Sequence, residues 1–327
     1  MNDWKAQFKS ILAPYIVDLI VEKRACGYKY ESQLYPLRQL DRFFVEKGLA
    51  SIELPKSVID CWNRRKPSEK STTHHVRISI ARILASHLIR KNIPAYIPPK
   101  YSIPKTVDSF VPYIFSHDEI TALIKSIDKI QKMKVQGWYM RFFPVVFRLL
   151  YSSGIRSNEM ASLRWKNVDI AHGTITVRDD KIGKDRLVPL VPRMVKHLEN
   201  HAKQQVHCSP NQHVFPRRNG MKCAKGGYYR CFRKVLKDIE IQHKGHGQGP
   251  RLHDLRHTFA VHNLERWLKT KEDLGAKLSI LADYLGHESL AGTQKYLRLI
   301  PSILPEIVSR MEASVGKLIK ETENETN

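Results

Sequence analysis

Five prolines fall between Ile93 and Pro112, in the stretch NIPAYIPPKYSIPKTVDSFVP, and no helical period survives there. A proline fixes its own φ, removes a backbone N–H donor and pushes the residue before it toward extended backbone. Neither a helix nor a central strand can run through so many of them, so the stretch reads as an extended connector over 93–112. Any fold must then place one core before it and another after it. A chain of 327 residues, 42% of them apolar, has the material for two.

Before the connector, the apolar residues fall on helical stripes. From Ala6 to Arg24, residues Phe8, Ile11, Leu12, Tyr15, Ile16, Leu19 and Ile20 recur at spacings of three and four, and Cys26-Gly27 ends the run. A second stripe passes through Leu34, Leu37, Leu40, Phe43 and Phe44 to Gly48. A short third one covers Val58 to Trp62, and a fourth carries Val76, Ile80, Ile83, Leu84, His87 and Leu88. Residues 1–92 therefore read as a four-helix domain.

After the connector, Ser116 and Glu119 form a capping-box pattern ahead of Ile120, Leu123, Ile124 and Ile127. An apolar helix follows from about Met140 to Ser152. The run GTITVRDDKIGKDRLVPLV then alternates β-branched and polar residues on either side of a Gly-containing turn, which predicts a hairpin. Helical periods return from Met194, over Tyr228 to Ile239, over His253 to Trp267 and over Leu278 to Leu285. The fold class expected is mainly α with a small β-sheet (α+β).

Lys and Arg number 55 against 32 Asp and Glu, a formal net charge of +23. The excess sits on both sides of the connector, 19 basic against 10 acidic residues in 1–110 and 36 against 22 afterwards. A charge of this size on a chain able to fold points to a polyanion, with nucleic acid ahead of a membrane surface, and predicts affinity that falls steeply with salt. The longest apolar runs, such as Phe142 to Phe147, are far short of the roughly 20 residues of a membrane span, and the start MNDWKAQFKS lacks a signal-peptide core. A cytoplasmic protein is expected. The five cysteines (Cys26, Cys61, Cys208, Cys223, Cys231) form an odd set without a CxxC pair and read as free thiols.

Four segments are poorly explained by packing, because charged and polar residues interrupt their apolar stripes: LLYSSGIRSNEMASLRWKNVDI, the hairpin with Lys181, HDLRHTFAVH and LADYLGHESLAGTQKYL. In order and wording they resemble the tyrosine recombinases, the family of phage integrases and chromosome-dimer resolvases, over roughly residues 110–300. The resemblance implies a helical, SAM-like core-binding domain in 1–92, matched by architecture alone, a linker in 93–112, a catalytic domain in 113–301 and a tail in 302–327.

By the same resemblance, Arg156 in SGIRSNEM is the first catalytic arginine and Glu159 its accompanying acid. Lys181 is the catalytic lysine, with Lys184 the competing candidate. His253 and Arg256 form the His-x-x-Arg pair, His287 in LGH is the later histidine, and Tyr296 is the nucleophile. The chemistry explains these types. A phenol attacking a phosphodiester passes through a crowded, doubly charged state, which two guanidiniums can grip in bidentate fashion. A lysine protonates the departing 5′ oxygen, His253 takes or returns the proton of Tyr296, and His287 donates to the phosphate. The covalent 3′-phosphotyrosine stores the bond energy, so the reaction needs no cofactor, metal or ATP.

Asp179, Asp180 and Asp185 alternate with cations and read as turn residues rather than a metal cluster. His243 and His246, near His253 in the Gly-rich stretch IQHKGHGQGPRLH, likewise lack fixed ligand spacing. The stretch RWLKTKEDLGAKLS, 266–279, is longer than the family's short turn and should extend a loop or helix end. The resemblance also implies double-stranded DNA as substrate, gripped by both domains as a basic clamp. It further implies a homodimer on each site, a tetramer in the synaptic complex, and room for a partner recombinase. The tail, with Ile303, Leu304, Ile307, Val308 and Met311 in helical period, would dock in trans. The competing readings are a catalytically silent DNA-binding accessory protein and a monomeric type IB topoisomerase-like enzyme.

Overall fold

The structure, a computed structural model, describes residues 4–101, 111–132, 137–178, 185–205, 209–223, 225–242, 249–287 and 289–299. Asp179, Asp180, Lys181, Lys184, His243, His246, Cys208 and the tail 302–327 lie outside the described residues. The chain divides into two units, Met1–Phe110 and Val111–Asn327.

In the first unit, α1 (Ala13–Ala25), α2 (Leu34–Glu46) and α3 (Lys56–Asn63) each pack against α4 (Ser71–Arg90). The core is made by the residues of the sequence stripes, among them Ile16, Leu19, Leu37, Leu40, Phe44, Ile59, Ile80, Leu84 and Leu88. The first helix starts at Ala13 and not at Ala6, because Pro14 tolerates only the first helical turn. Lys5–Gln7 forms a separate 3-10 turn. The residues between are tied down by buried Asp41, whose carboxylate accepts from the Lys9 and Ser10 backbone N–H groups and the Ser10 hydroxyl. Phe8 and Leu12 still reach the core. The connector's beginning is held too: Leu54 donates to the Pro94 carbonyl and Tyr96 to that of Leu54.

The second unit begins with α5 (His117–Lys132), opened by the expected capping box: Ser116 N–H donates to Glu119 and Glu119 N–H to the Ser116 hydroxyl. The apolar helix α6 (Phe143–Ser153) forms the centre of the core, followed by the short α7 (Ser157–Ser162). Three short strands make an antiparallel sheet in the order β1 (Val168–Asp169), β2 (Thr174–Val177), β3 (Arg186–Pro189). The hairpin expected from sequence supplies β2 and β3, with Ile175 opposite Val188, and β1 adds a strand too short to show a period. Ile175, Val177 and Val188 face the core.

Four longer helices follow, α8 (Pro192–Lys203), α9 (Lys225–Asp238), α10 (Asp254–Lys269) and α11 (Leu274–Leu285), then the short α12 (Leu290–Gln294). α6 packs against α5, α8 and α10, and α10 also against α11. The long stretch 266–279 lengthens the two helices that it joins. α10 continues to Lys269, and α11 starts at Leu274 with the Asp273 side chain accepting from Gly275 N–H. Among the described residues, no helix is long and apolar enough to cross a membrane, and Cys26, Cys61, Cys223 and Cys231 are free thiols.

Candidate active site

Two helices end side by side. α6 stops at Gly154 and α11 at Gly286, both with left-handed backbone (φ 60° and 68°). At Gly154 a Cβ would also meet the Phe259 ring at 2.5 Å, so no larger residue fits. The last carbonyls of a helix have no partner within it and carry the negative end of its dipole. Here guanidiniums satisfy them. Arg256, 3% exposed, donates to the Gly154 carbonyl (2.9 Å) and to that of Leu285 (2.7 Å), while Arg156 donates to that of Gly286 (2.7 Å).

One carboxylate serves this cluster. Glu159 accepts from the Arg156 side chain (2.8 Å) and backbone N–H (2.7 Å), and from both terminal nitrogens of Arg186 (3.0 and 2.7 Å). Burial pushes the Glu159 pKa up, but the Arg186 and Arg156 contacts outweigh it and hold the group below the usual carboxylate range. Arg186 also donates from Nε to the Tyr284 carbonyl (3.0 Å), tying β3 to the end of α11. Among the described residues three guanidiniums share one carboxylate here, and main-chain carbonyls accept from each of them. Burial, then the neighbouring Arg156, brings Arg256 down to about 10, still charged at neutral pH.

Three histidines line the same place. Burial and the charges of Arg256 and Arg251 lower the pKa of His253, which precedes α10. Burial and the three arginines push His287 down to about 4. Its Nδ1 lies 2.7 Å from the hydroxyl of buried Thr293. A neutral His287 that accepts from Thr293 carries its proton on Nε2 and can donate there. Tyr296, 4% exposed, stacks near the His287 ring, with centroids 6.0 Å apart. Burial raises its pKa, opposed by Arg256 and Arg156.

The structure thus gathers Arg156, Glu159, His253, Arg256, His287 and Tyr296, which lie up to 140 residues apart in sequence, around the ends of α6 and α11. Lys181 and Lys184 fall outside the described residues. One pairing differs from the sequence expectation: the imidazole on the Tyr296 hydroxyl is His257 (Nδ1 to Oη 3.2 Å), while the His253 ring stands edge-on against His257 at 5.1 Å. His257, Arg186 and Thr293 were not singled out in the sequence. All three stand inside the strings that carry the resemblance, HDLRH, KDRLVPL and LADYLGHESLAGTQKYL, so the available signal was their place near a named residue.

A second cluster has the ingredients of a metal site: His117, His262 and Glu265 have ligand atoms within 4.8 Å of one another. Both ring nitrogens of His262 are occupied, Nδ1 by the Tyr151 hydroxyl (3.0 Å) and Nε2 by the Phe115 carbonyl (2.9 Å). The cluster reads as a structural link between α10 and the start of α5.

Residues 114–302 match the phage integrase family. The integrase/recombinase y4rB of Sinorhizobium fredii is 30% identical over 311 residues, covering 91% of this chain and 96% of that protein. The chain belongs to the phage integrase family. As a tyrosine recombinase it is an enzyme of site-specific DNA breakage and rejoining. The tyrosine recombinase XerA of Pyrococcus furiosus is 31% identical over 209 residues, 64% of this chain and 63% of that one. Solved structures share the fold. The post-cleavage complex of the XerH site-specific recombinase with a palindromic difH substrate matches with a TM-score of 0.60 at 18% identity, over 85% of this chain and 78% of that one. The Tn1549 transposon integrase with circular intermediate DNA matches with a TM-score of 0.59 at 16% identity, over 86% and 94%.

Proposed function

We propose that this recombinase exchanges DNA strands through Tyr296. Its oxygen bonds to the scissile phosphorus, the bond from phosphorus to the 5′ oxygen breaks, and a 3′-phosphotyrosyl linkage and a free 5′ hydroxyl result. A 5′ hydroxyl from another strand reverses the step. Arg156 and Arg256 neutralise the non-bridging oxygens, His287 donates to one of them, and Lys181, or Lys184 in its place, protonates the departing oxygen. His253 takes up the proton that Tyr296 releases as its oxygen bonds to phosphorus, and returns it when the step reverses. The observation that carries this reading is the gathering of guanidinium charge near Tyr296: among the described residues Arg156, Arg186 and Arg256 share the one carboxylate of Glu159 and donate to main-chain carbonyls.

Residues 1–92 serve as the DNA-binding core-binding domain, 93–112 as the linker and 113–301 as the catalytic domain. Two protomers occupy a site and four the synaptic complex, homomeric or shared with a partner recombinase, on DNA of the nucleoid. The tail 302–327 docks on a neighbouring protomer. An open, largely apolar groove lined by Tyr151, Phe259, Trp267, Ile280, Leu281 and Tyr284 supports this by offering an apolar helix a seat. Deleting 302–327 should abolish tetramers on DNA and spare monomer binding; unchanged assembly removes the trans-docking idea.

The test of the reading is covalent capture. The protein and its Tyr296→Phe variant are expressed in bacterial cells carrying candidate DNA, lysed in denaturant, and the attached DNA is sequenced. Covalent DNA from the unsubstituted protein alone, focused on one repeat, is expected. Equal recovery from the variant moves the nucleophile elsewhere, and no recovery from either, with a nicked suicide duplex also inert, favours a silent accessory protein.

A further inference from the structure

The Tyr296 hydroxyl meets His257 Nδ1 at 3.2 Å, with the ring centroids 5.5 Å apart. His257 follows Arg256 on α10, and the charges of Arg256 and Arg156 act on the Tyr296 hydroxyl, opposing the effect of its burial. Burial, then the surrounding His253, Arg251, Arg256 and His287, pushes the His257 imidazole down to about 3, so it is neutral at neutral pH. Guanidiniums repel a hydroxyl hydrogen and attract lone pairs, so the phenol oxygen turns lone pairs and not its hydrogen toward them. Its single O–H is then free to donate to His257, whose Nδ1 is the acceptor.

The direction of that O–H matters for attack. A phenol that donates to a phosphate oxygen turns its hydrogen toward the group it must attack. With the hydrogen engaged on the opposite side, a lone pair faces the phosphorus. We infer that His257 is a positioning residue for the nucleophile: its Nδ1 accepts the Tyr296 hydrogen bond and so turns a lone pair of the phenol oxygen toward the arginine cluster. This rests on Tyr296 being the nucleophile. It differs from general-base catalysis, because an imidazole held near 3 does not retain the phenolic proton at neutral pH in the DNA-free protein.

Asparagine and glutamine separate the role from mere packing. His257→Asn can place an amide oxygen where Nδ1 stands, while His257→Gln places it nearer the position of Nε2. The full-length variants are compared with Tyr296→Phe in single-turnover formation of covalent complex at saturating protein, on a nicked duplex carrying the captured sequence. In parallel, the Tyr296 signal is followed in DNA-free protein labelled with 13C at tyrosine Cζ and assigned by its loss in Tyr296→Phe. His257→Gln should slow cleavage about 10- to 100-fold, the order expected from misplacing a reacting group, with DNA affinity unchanged and the Tyr296 signal shifted. His257→Asn should stay within about threefold and keep the signal in place. Gln and Asn behaving alike, with Tyr296→Phe inert, would overturn the positioning role and leave the nucleophile standing. Covalent complex from Tyr296→Phe would instead remove the nucleophile reading. If no duplex is captured, an unmoved Tyr296 signal in His257→Gln alone overturns the inference.

Discussion

Each unit of this protein buries an arginine, and the two are satisfied in opposite ways. In the first unit Arg77, 5% exposed, grips both oxygens of Glu69 (2.9 and 2.8 Å), donates to the Trp62 carbonyl and lies 4.6 Å over the Trp62 ring, whose N–H donates back to the Arg77 carbonyl. One cation meets one anion, and the charge stays inside the fold. In the second unit Arg256 is as deeply buried, yet its side chain donates to two main-chain carbonyls, and among the described residues the carboxylate of the cluster, Glu159, is already bound to Arg156 and Arg186. A buried cation is expensive unless paired, so an arginine that the fold tolerates on dipoles alone is one whose counter-charge arrives from outside. Charge balance, rather than burial, separates the structural arginine from the functional one.

The largest effects should come from removing each arginine in turn. Arg256→Ala is expected to lower single-turnover cleavage about 10³-fold, the scale of a lost donor to a developing charge. Arg77→Ala should leave the cleavage rate of folded protein within about threefold and reduce stability by about 3 kcal/mol, because the largely buried Glu69 carboxylate loses its counter-charge and keeps only the Lys66 backbone N–H. Arg77→Met combined with Glu69→Leu should recover most of that stability. If the double variant is no better than the single one, Arg77 does more than cancel Glu69 and the comparison breaks.

Glu159→Gln acts one step back from the chemistry. It loosens Arg156 and Arg186 without removing either, so cleavage should fall about 10- to 100-fold in the rate at saturating DNA, with little change in binding. A loss as large as that of Arg256→Ala would place Glu159 in the reaction itself.

Acid should sharpen the contrast more gently. His257 and His287 titrate near 6.5 in the unfolded chain but are pushed to about 3 and about 4 when folded. The unfolded chain therefore binds protons that the second unit refuses, so these groups give full stability above about 6.5 and lose it as pH falls toward about 4 and 3. In the first unit the lowered groups are carboxylates, Asp18, Glu22 and Glu69, whose contribution begins to fall only below their unfolded values of 3.8, 4.5 and 4.5. Calorimetry of the whole chain should show the second unit's transition falling first between pH 6.5 and 4.5, with a smaller slope in His257→Asn. Parallel shifts of both transitions would contradict this.

The helices were legible because their buried residues recur with the turn of the helix: Leu37, Leu40 and Phe44 mark one face of α2 whatever the rest of the chain does. At the start of α1 a local rule, Pro14, outweighs the period, and the helix begins at Ala13. The arginines, His287 and Tyr296 were legible through their wording. What was not legible depends on how α10, α11, α12 and β3 come together. The Tyr296 contact to His257 spans 39 residues, and the Arg186 contact to Glu159 spans 27. No period or spacing encodes either, because both arise from separate elements meeting in space.

The central claim is that the cationic cluster serves a covalent bond to Tyr296, and mass spectrometry can locate that bond. Covalent complex trapped on a nicked duplex is digested with nuclease and trypsin, which cleaves after Lys295 and Arg298. The account predicts a nucleotide attached through its 3′ phosphate to the peptide Tyr296-Leu297-Arg298, with a free 5′ hydroxyl on the released strand. Nucleotide on any other residue, or a 5′-linked adduct, would contradict it.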